Sequence, residues 1–168
     1  MNLVIRSAIR EDLPALTEIY NHYIRSSHAT FDLEEFTVED RAAWFDAHDS
    51  DSRHLLVVAE ADGDVVGYAT SSMFRAKAAY DGSVETTVYV AASALGLGIG
   101  RALYAELIAR LVREPGLHRA YAGVALPNPA SVALHLDCGF TVIGTFTEAG
   151  HKFGEYVDVQ WFERSLDA

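Results

Sequence analysis

Cysteine is nearly absent from this 168-residue sequence, with Cys138 its only thiol. An intrachain disulfide is therefore excluded, and a single cysteine beside Gly139 reads as a small core residue rather than a nucleophile. Basic residues are also few. Thirteen Lys and Arg face 24 Asp and Glu, a formal net charge of −11, which opposes nucleic-acid binding because phosphate-binding surfaces are built from clustered cations. No apolar run approaches the ~18 residues of a membrane span, and Asn2 to Ala8 alternates like a strand instead of opening a basic and then apolar leader. His22, His28, His48, His54, His118 and His151 lack metal-ligand spacing, so no metal is expected. These absences point to a soluble cytoplasmic protein with no nucleic-acid and no membrane partner.

What is present is apolar material for a core: half the residues are hydrophobic, in a length suited to one domain spanning 1–168. After the first strand, Asp12 precedes a helical stripe of Leu13, Leu16, Ile19, Tyr20, Tyr23 and Ile24, with Pro14 in the tolerated first turn. Thr37 and Asp40 have capping-box spacing ahead of a short helix carrying Trp44 and Phe45. His54 to Glu60 and Val65 to Phe74 read as a hairpin closed by the turn residues Ala61 to Asp64. Ser83 to Val90 alternates, with Val84, Thr86, Val88 and Val90 on one face and Glu85, Thr87 and Tyr89 on the other. A helix bearing Leu103, Leu107 and Leu111 follows, then a strand over 120–125, a short helix over 129–138 and closing strands over 140–146 and 156–163. The order β-α-α-β-β-β-α-β-α-β-β predicts an α+β fold on a mixed sheet.

The chemically informative stretch joins that fourth strand to a helix through Leu95-Gly96-Leu97-Gly98-Ile99-Gly100-Arg101. Glycines admit close backbone approach, and a helix N-terminus offers free N–H groups and the positive end of its dipole, so a pyrophosphate ligand fits. A Walker loop would need Gly-Lys followed by Ser or Thr where this chain has Gly-Arg-Ala. A dinucleotide loop would need an acidic residue about 20 positions on, and Leu126-Pro127-Asn128 follows the next strand instead.

The loop resembles that of the GCN5-related N-acetyltransferases, with Leu95 where the family usually has Gln or Arg, and the likeness continues through Asn128 to His135 and Gly139-Phe140. Asn21 to Ile24, Arg75 to Tyr80, Val84 to Val90, Ser131 to His135 and Gly150 to Gly154 are similar to the phosphinothricin and methionine sulfoximine/sulfone acetyltransferase subgroup. The resemblance implies a central mixed sheet of about seven strands flanked by about four helices, acetyl-CoA as co-substrate, a small amino-acid-like acceptor and a homodimer. It also implies cofactor contacts from Val88, Tyr89, Val90, Leu95, Gly96, Leu97, Gly98, Ile99, Gly100, Arg101, Asn128, Ser131 and His135. A peptide or protein N-acetyltransferase and a noncatalytic acyl-CoA-binding regulator are the competing functions on the same fold.

Acetyl transfer needs a neutral amine, so a positioned base must remove the ammonium proton. Glu85 is the candidate, standing where the subgroup carries a catalytic Glu; a solvent-facing strand carboxylate is the alternative. His135 occupies the position where many family members place a Tyr that protonates the departing thiolate, and imidazole can do the same; a satisfied helix histidine is the alternative. Arg75 and Lys77 are candidates for an acceptor carboxylate or phosphinate, against a solvated basic edge. Phe31 is a candidate pocket wall, against simple packing. Tyr80, Tyr89, Trp161 and Phe162 read as packing aromatics.

Overall fold

In a computed structural model that describes residues 2–49 and 52–167, one seven-stranded sheet runs in the order β1-β2-β3-β4-β5-β7-β6. Its strands are β1 (Leu3–Ser7), β2 (Leu56–Ala61), β3 (Asp64–Met73), β4 (Ser83–Val90), β5 (Arg119–Ala125), β6 (Thr141–Lys152) and β7 (Glu155–Ser165). Four helices flank it: α1 (Leu13–Ser26), α2 (Ala42–Asp46), α3 (Ile99–Leu111) and α4 (Pro129–Asp137). Every strand pairing is antiparallel except β4 with β5. The expected α+β class and mixed sheet are both observed.

Strand alternation divides the core between the two sheet faces. Val57 and Ala59 join α3 residues Leu103, Leu107 and Leu111 on one face. Their neighbours Leu56 and Val58 meet Leu16 and Ile19 of α1 on the other. A one-residue slip of β2 would exchange these two sets, so packing on both faces fixes its register.

Local sequence chemistry explains several boundaries. Asp62 and Gly63 both have positive φ, 52° and 99°, in the two-residue turn between β2 and β3, which suits the right-handed strand twist. Thr37 and Asp40 do form reciprocal contacts, the Asp40 N–H donating to Thr37 Oγ1 at 3.1 Å and the Thr37 N–H to Asp40 Oδ2 at 2.9 Å. They cap a turn, with α2 beginning only at Ala42. The closing strands extend well beyond their expected ends and meet in a hairpin, Lys152 pairing with Glu155. Gly150, His151 and Lys152 thus belong to β6.

Candidate active site

The site begins where two parallel strands separate. β4 and β5 pair only at Ser83–Arg119, Val84–Ala120 and Glu85–Tyr121, while β5 continues beside β7 to Ala125. Beyond Glu85 the strands part, leaving a groove of about 560 Å³ whose walls include Thr86 to Val90 and Gly123 to Ala125. Backbone groups along this edge of β4 are consequently open to an extended ligand, as at a free sheet edge.

The groove ends at the N-terminus of α3. Gly96 and Gly98 both have φ +77°, a left-handed conformation unfavourable to other residues, and Gly98 is the N-cap of the helix. A Cβ at either position would meet no atom of the protein within 4 Å. The glycines therefore serve the backbone path and leave their outer side open to a ligand. Thirteen residues of helix behind them direct free N–H groups and the positive dipole end toward that space. The donor set and the open cradle fit a pyrophosphate.

Of the residues expected to hold the cofactor, Val88, Tyr89, Val90, Leu95, Gly96, Gly98, Ile99, Gly100, Arg101, Asn128, Ser131 and His135 all line this groove. Leu97 is not among the residues that line it, and its side chain is exposed. Asn128 has a structural duty as well, since its side chain caps α4 by accepting from the Ser131 N–H at 3.1 Å.

His135 is buried, with both ring nitrogens engaged. Nδ1 lies 2.7 Å from the Ser131 carbonyl, which can only accept, so Nδ1 carries the proton. Nε2 is then the acceptor for the Tyr104 hydroxyl at 2.9 Å. Burial holds the imidazole pKa below its ordinary value, with the Ser131 carbonyl acting in the opposite direction. Tyr104, fully buried in the apolar stripe of α3, also stands 3.4 Å from Thr86 Oγ1 at the point where the strands part. It lies on the same helical stripe as Leu103, Leu107 and Leu111, and no local signal distinguishes it from a packing tyrosine.

Glu85 projects from the opposite face of β4, toward the side covered by α1 and α2. Burial raises its pKa above the ordinary carboxylate range, and the Arg75 charge partly offsets this. Arg75 is exposed with its guanidinium 4.9 Å from the Phe74 ring centre, and Lys77 is exposed further along the same segment. Phe31 lies across β6, against Gly150. Tyr89 packs among Tyr20, Tyr23 and Tyr68, and Phe162 is fully buried, whereas Tyr80 is exposed against Phe74.

Both α1 and the loop that follows it are tied down over this face. Tyr23 donates its hydroxyl to the Val90 carbonyl at 2.5 Å, and buried Lys152 donates to the Thr30 carbonyl at 2.8 Å. Sequence placed Lys152 in a motif but gave no sign that its ammonium is buried.

The acetyltransferase (GNAT) domain family matches residues 5–161. A phosphinothricin N-acetyltransferase of Streptomyces coelicolor is 53% identical over 164 residues, covering 96% of this chain and 95% of that protein. An L-methionine sulfoximine/L-methionine sulfone acetyltransferase of Pseudomonas paraeruginosa is 35% identical, covering 99% of this chain and 96% of its own. Among solved structures, a phosphinothricin acetyltransferase of Sinorhizobium meliloti in complex with acetyl-CoA superposes with a TM-score of 0.93 at 33% identity, covering 99% of this chain and 90% of that one. The chain belongs to the GNAT acetyltransferase family and is an N-acetyltransferase.

Proposed function

We propose that this enzyme acetylates the α-amino group of a small amino acid, such as phosphinothricin, methionine sulfoximine or methionine sulfone, with acetyl-CoA as donor. The observation that carries the reading is the parting of β4 from β5 beside Glu85, with the groove running into the glycine N-terminus of α3. The acceptors acted on by the two relatives support the substrate class.

Acetyl-CoA, when bound, supplies an activated acetyl thioester. The β4 edge from Val88 to Val90 aligns the pantetheine arm, and the backbone from Gly96 to Arg101 holds the pyrophosphate. Glu85 takes a proton from the acceptor ammonium; its half-buried position and raised pKa bring it nearer the working pH of a general base. Arg75 and Lys77 hold the acceptor's carboxylate at the outer edge. His135 acts through Tyr104: when Nε2 is protonated, the phenol accepts that proton and passes its own to the departing sulfur, returning the imidazole to its neutral Nδ1–H form. A backbone N–H of β4 stabilises charge on the carbonyl oxygen.

We take residues 1–168 as one catalytic domain, an inference supported by the continuous sheet and the family match. Among the described residues no helix is long and apolar enough to cross a membrane; we place the enzyme in the cytoplasm because acetyl-CoA, its donor, is made there, and the residues named above carry the transfer. The exposed Val142, Ile143 and Phe146 along edge strand β6 support the homodimer that the resemblance implies.

A screen for thiol release from acetyl-CoA tests the function. Free amino acids, methionine sulfone, methionine sulfoximine and phosphinothricin are compared with peptides. Turnover of the free amino acids is expected; preference for peptides, or binding of acetyl-CoA without turnover of any amine, overturns the reading.

A further inference from the structure

A second cavity, of about 210 Å³, lies beneath the α1–α2 loop on the Glu85 face of the sheet. Its floor includes Thr70 and Ser72 of β3 and Thr87 of β4, and its roof includes Arg41. Ser72 pairs with Glu85, and Thr70 with Thr87, so strand alternation sets the cavity floor beside the candidate base. Thr87 and Tyr89 line both this cavity and the cofactor groove. The two spaces therefore share a wall.

Arg41 is the unusual member. It is only 5% exposed, yet among the described residues no carboxylate forms an ion pair with it, and its Nη1 has no hydrogen-bond acceptor. Its guanidinium lies 3.7 Å from the Trp44 ring centre and 4.4 Å from that of Tyr20, which recovers part of its solvation but uses the faces of the fork rather than its N–H edge. Asp32 and Asp40 also border the cavity, but both are exposed. Water and salt screen those carboxylates, while the buried cation keeps its field. A buried guanidinium whose Nη1 lacks an acceptor, in a cavity also lined by the unpartnered Tyr68 hydroxyl and by threonine and serine hydroxyls, calls for an oxygen-rich partner.

Building on the amino-acid acceptor assigned above, we infer that this cavity is the subsite for the acceptor's side chain and that Arg41, with the hydroxyls of Thr70, Ser72 and Thr87, selects a head group bearing a strongly polarised S=O or P=O bond. Such a group offers acceptor oxygens to every donor present. Thr70 and Thr87 already share a hydrogen bond of 2.8 Å, but an apolar side chain of the same length would leave Arg41 Nη1 unpaired, and a site built to hydrogen-bond its substrate discriminates strongly against an analogue that cannot.

The test compares kcat/KM for methionine sulfone and phosphinothricin with that for norleucine, which has a similar chain and no oxo group. The wild-type enzyme should favour the oxo-bearing acceptors by at least about tenfold, the effect of one or two hydrogen bonds to a charged donor. Arg41→Met should bring the ratio close to one, chiefly through KM, because the interaction holds the acceptor before and during reaction alike. Arg41 also packs the loop, so Ser72→Ala is the second variant: it leaves that packing intact and should lower the same ratio by about threefold or more. Calorimetric titration of the CoA complex with methionine sulfone gives the binding change without chemistry. A fall confined to the sulfone or to the phosphinothricin arm supports the subsite and names its preferred head group. An unchanged ratio in folded variants, or a wild-type enzyme that treats norleucine and the oxo-bearing acceptors alike, overturns the subsite and leaves amino-acid acetylation standing. Failure to acetylate any free amino acid overturns both.

Discussion

The Phe31 ring lies directly over the Cα of Gly150, so close that a Cβ built on the glycine would stand 2.3 Å from two ring carbons. A loop and a strand 119 positions apart in sequence are therefore shaped to one another. With Lys152 donating to the Thr30 carbonyl one residue before Phe31, the β6–β7 hairpin sets the position of the α1–α2 loop.

Gly150→Ala should consequently displace the Phe31 ring. Because Phe31 is partly exposed it can swing outward, so the stability cost should be modest, about 1–2 kcal/mol for an overpacked contact. The acceptor KM should rise severalfold, with the KM for acetyl-CoA unchanged. Combining the substitution with Phe31→Ala removes the clash, and the two effects should be clearly non-additive in a double-mutant cycle. Additive effects in steady-state kinetics would show that the contact does not shape the acceptor site.

Glu85 links site geometry to pH. Burial favours its protonated form, and only the ionised form accepts a proton from the ammonium. The acid limb of kcat/KM should therefore lie above the range of an exposed carboxylate, with activity lost as pH falls through the raised pKa. Glu85→Gln keeps the shape and cannot accept the proton, so turnover should drop about 10²–10⁴-fold. The deficit should shrink as pH rises toward the amine's own pKa, because solvent then supplies the neutral nucleophile. Turnover measured against pH for both proteins decides this, and near-wild-type turnover of the Gln variant at neutral pH, with chemistry limiting, would remove Glu85 from the mechanism.

Tyr104→Phe deletes the hydroxyl that donates to His135 Nε2. The buried imidazole nitrogen then lacks its donor, at a cost of about 1–3 kcal/mol in stability, which denaturant titration would register. If the phenol also relays the proton to sulfur, kcat should fall tenfold or more while the KM for acetyl-CoA stays within about threefold. A stability loss without a kcat effect would leave the Tyr104–His135 pair a structural element only.

The sequence by itself determined the order of elements, the glycine loop ahead of α3 and the family. These are local properties: alternation on β4, apolar spacing on α3 and glycines where the backbone must adopt φ +77° are written in consecutive residues. Tertiary structure alone decided the rest. Tyr104 and His135 are 31 positions apart, and whether Nε2 finds a phenol depends on how α4 packs against α3. Arg41 looks like one more surface cation beside Asp40 until Trp44, Tyr20 and the sheet close around it. Lys152 looks equally ordinary until a hairpin longer than its sequence pattern carries it beneath the α1–α2 loop. Burial removes water from these charges, and burial is a sum over contacts distant in sequence that no local pattern records.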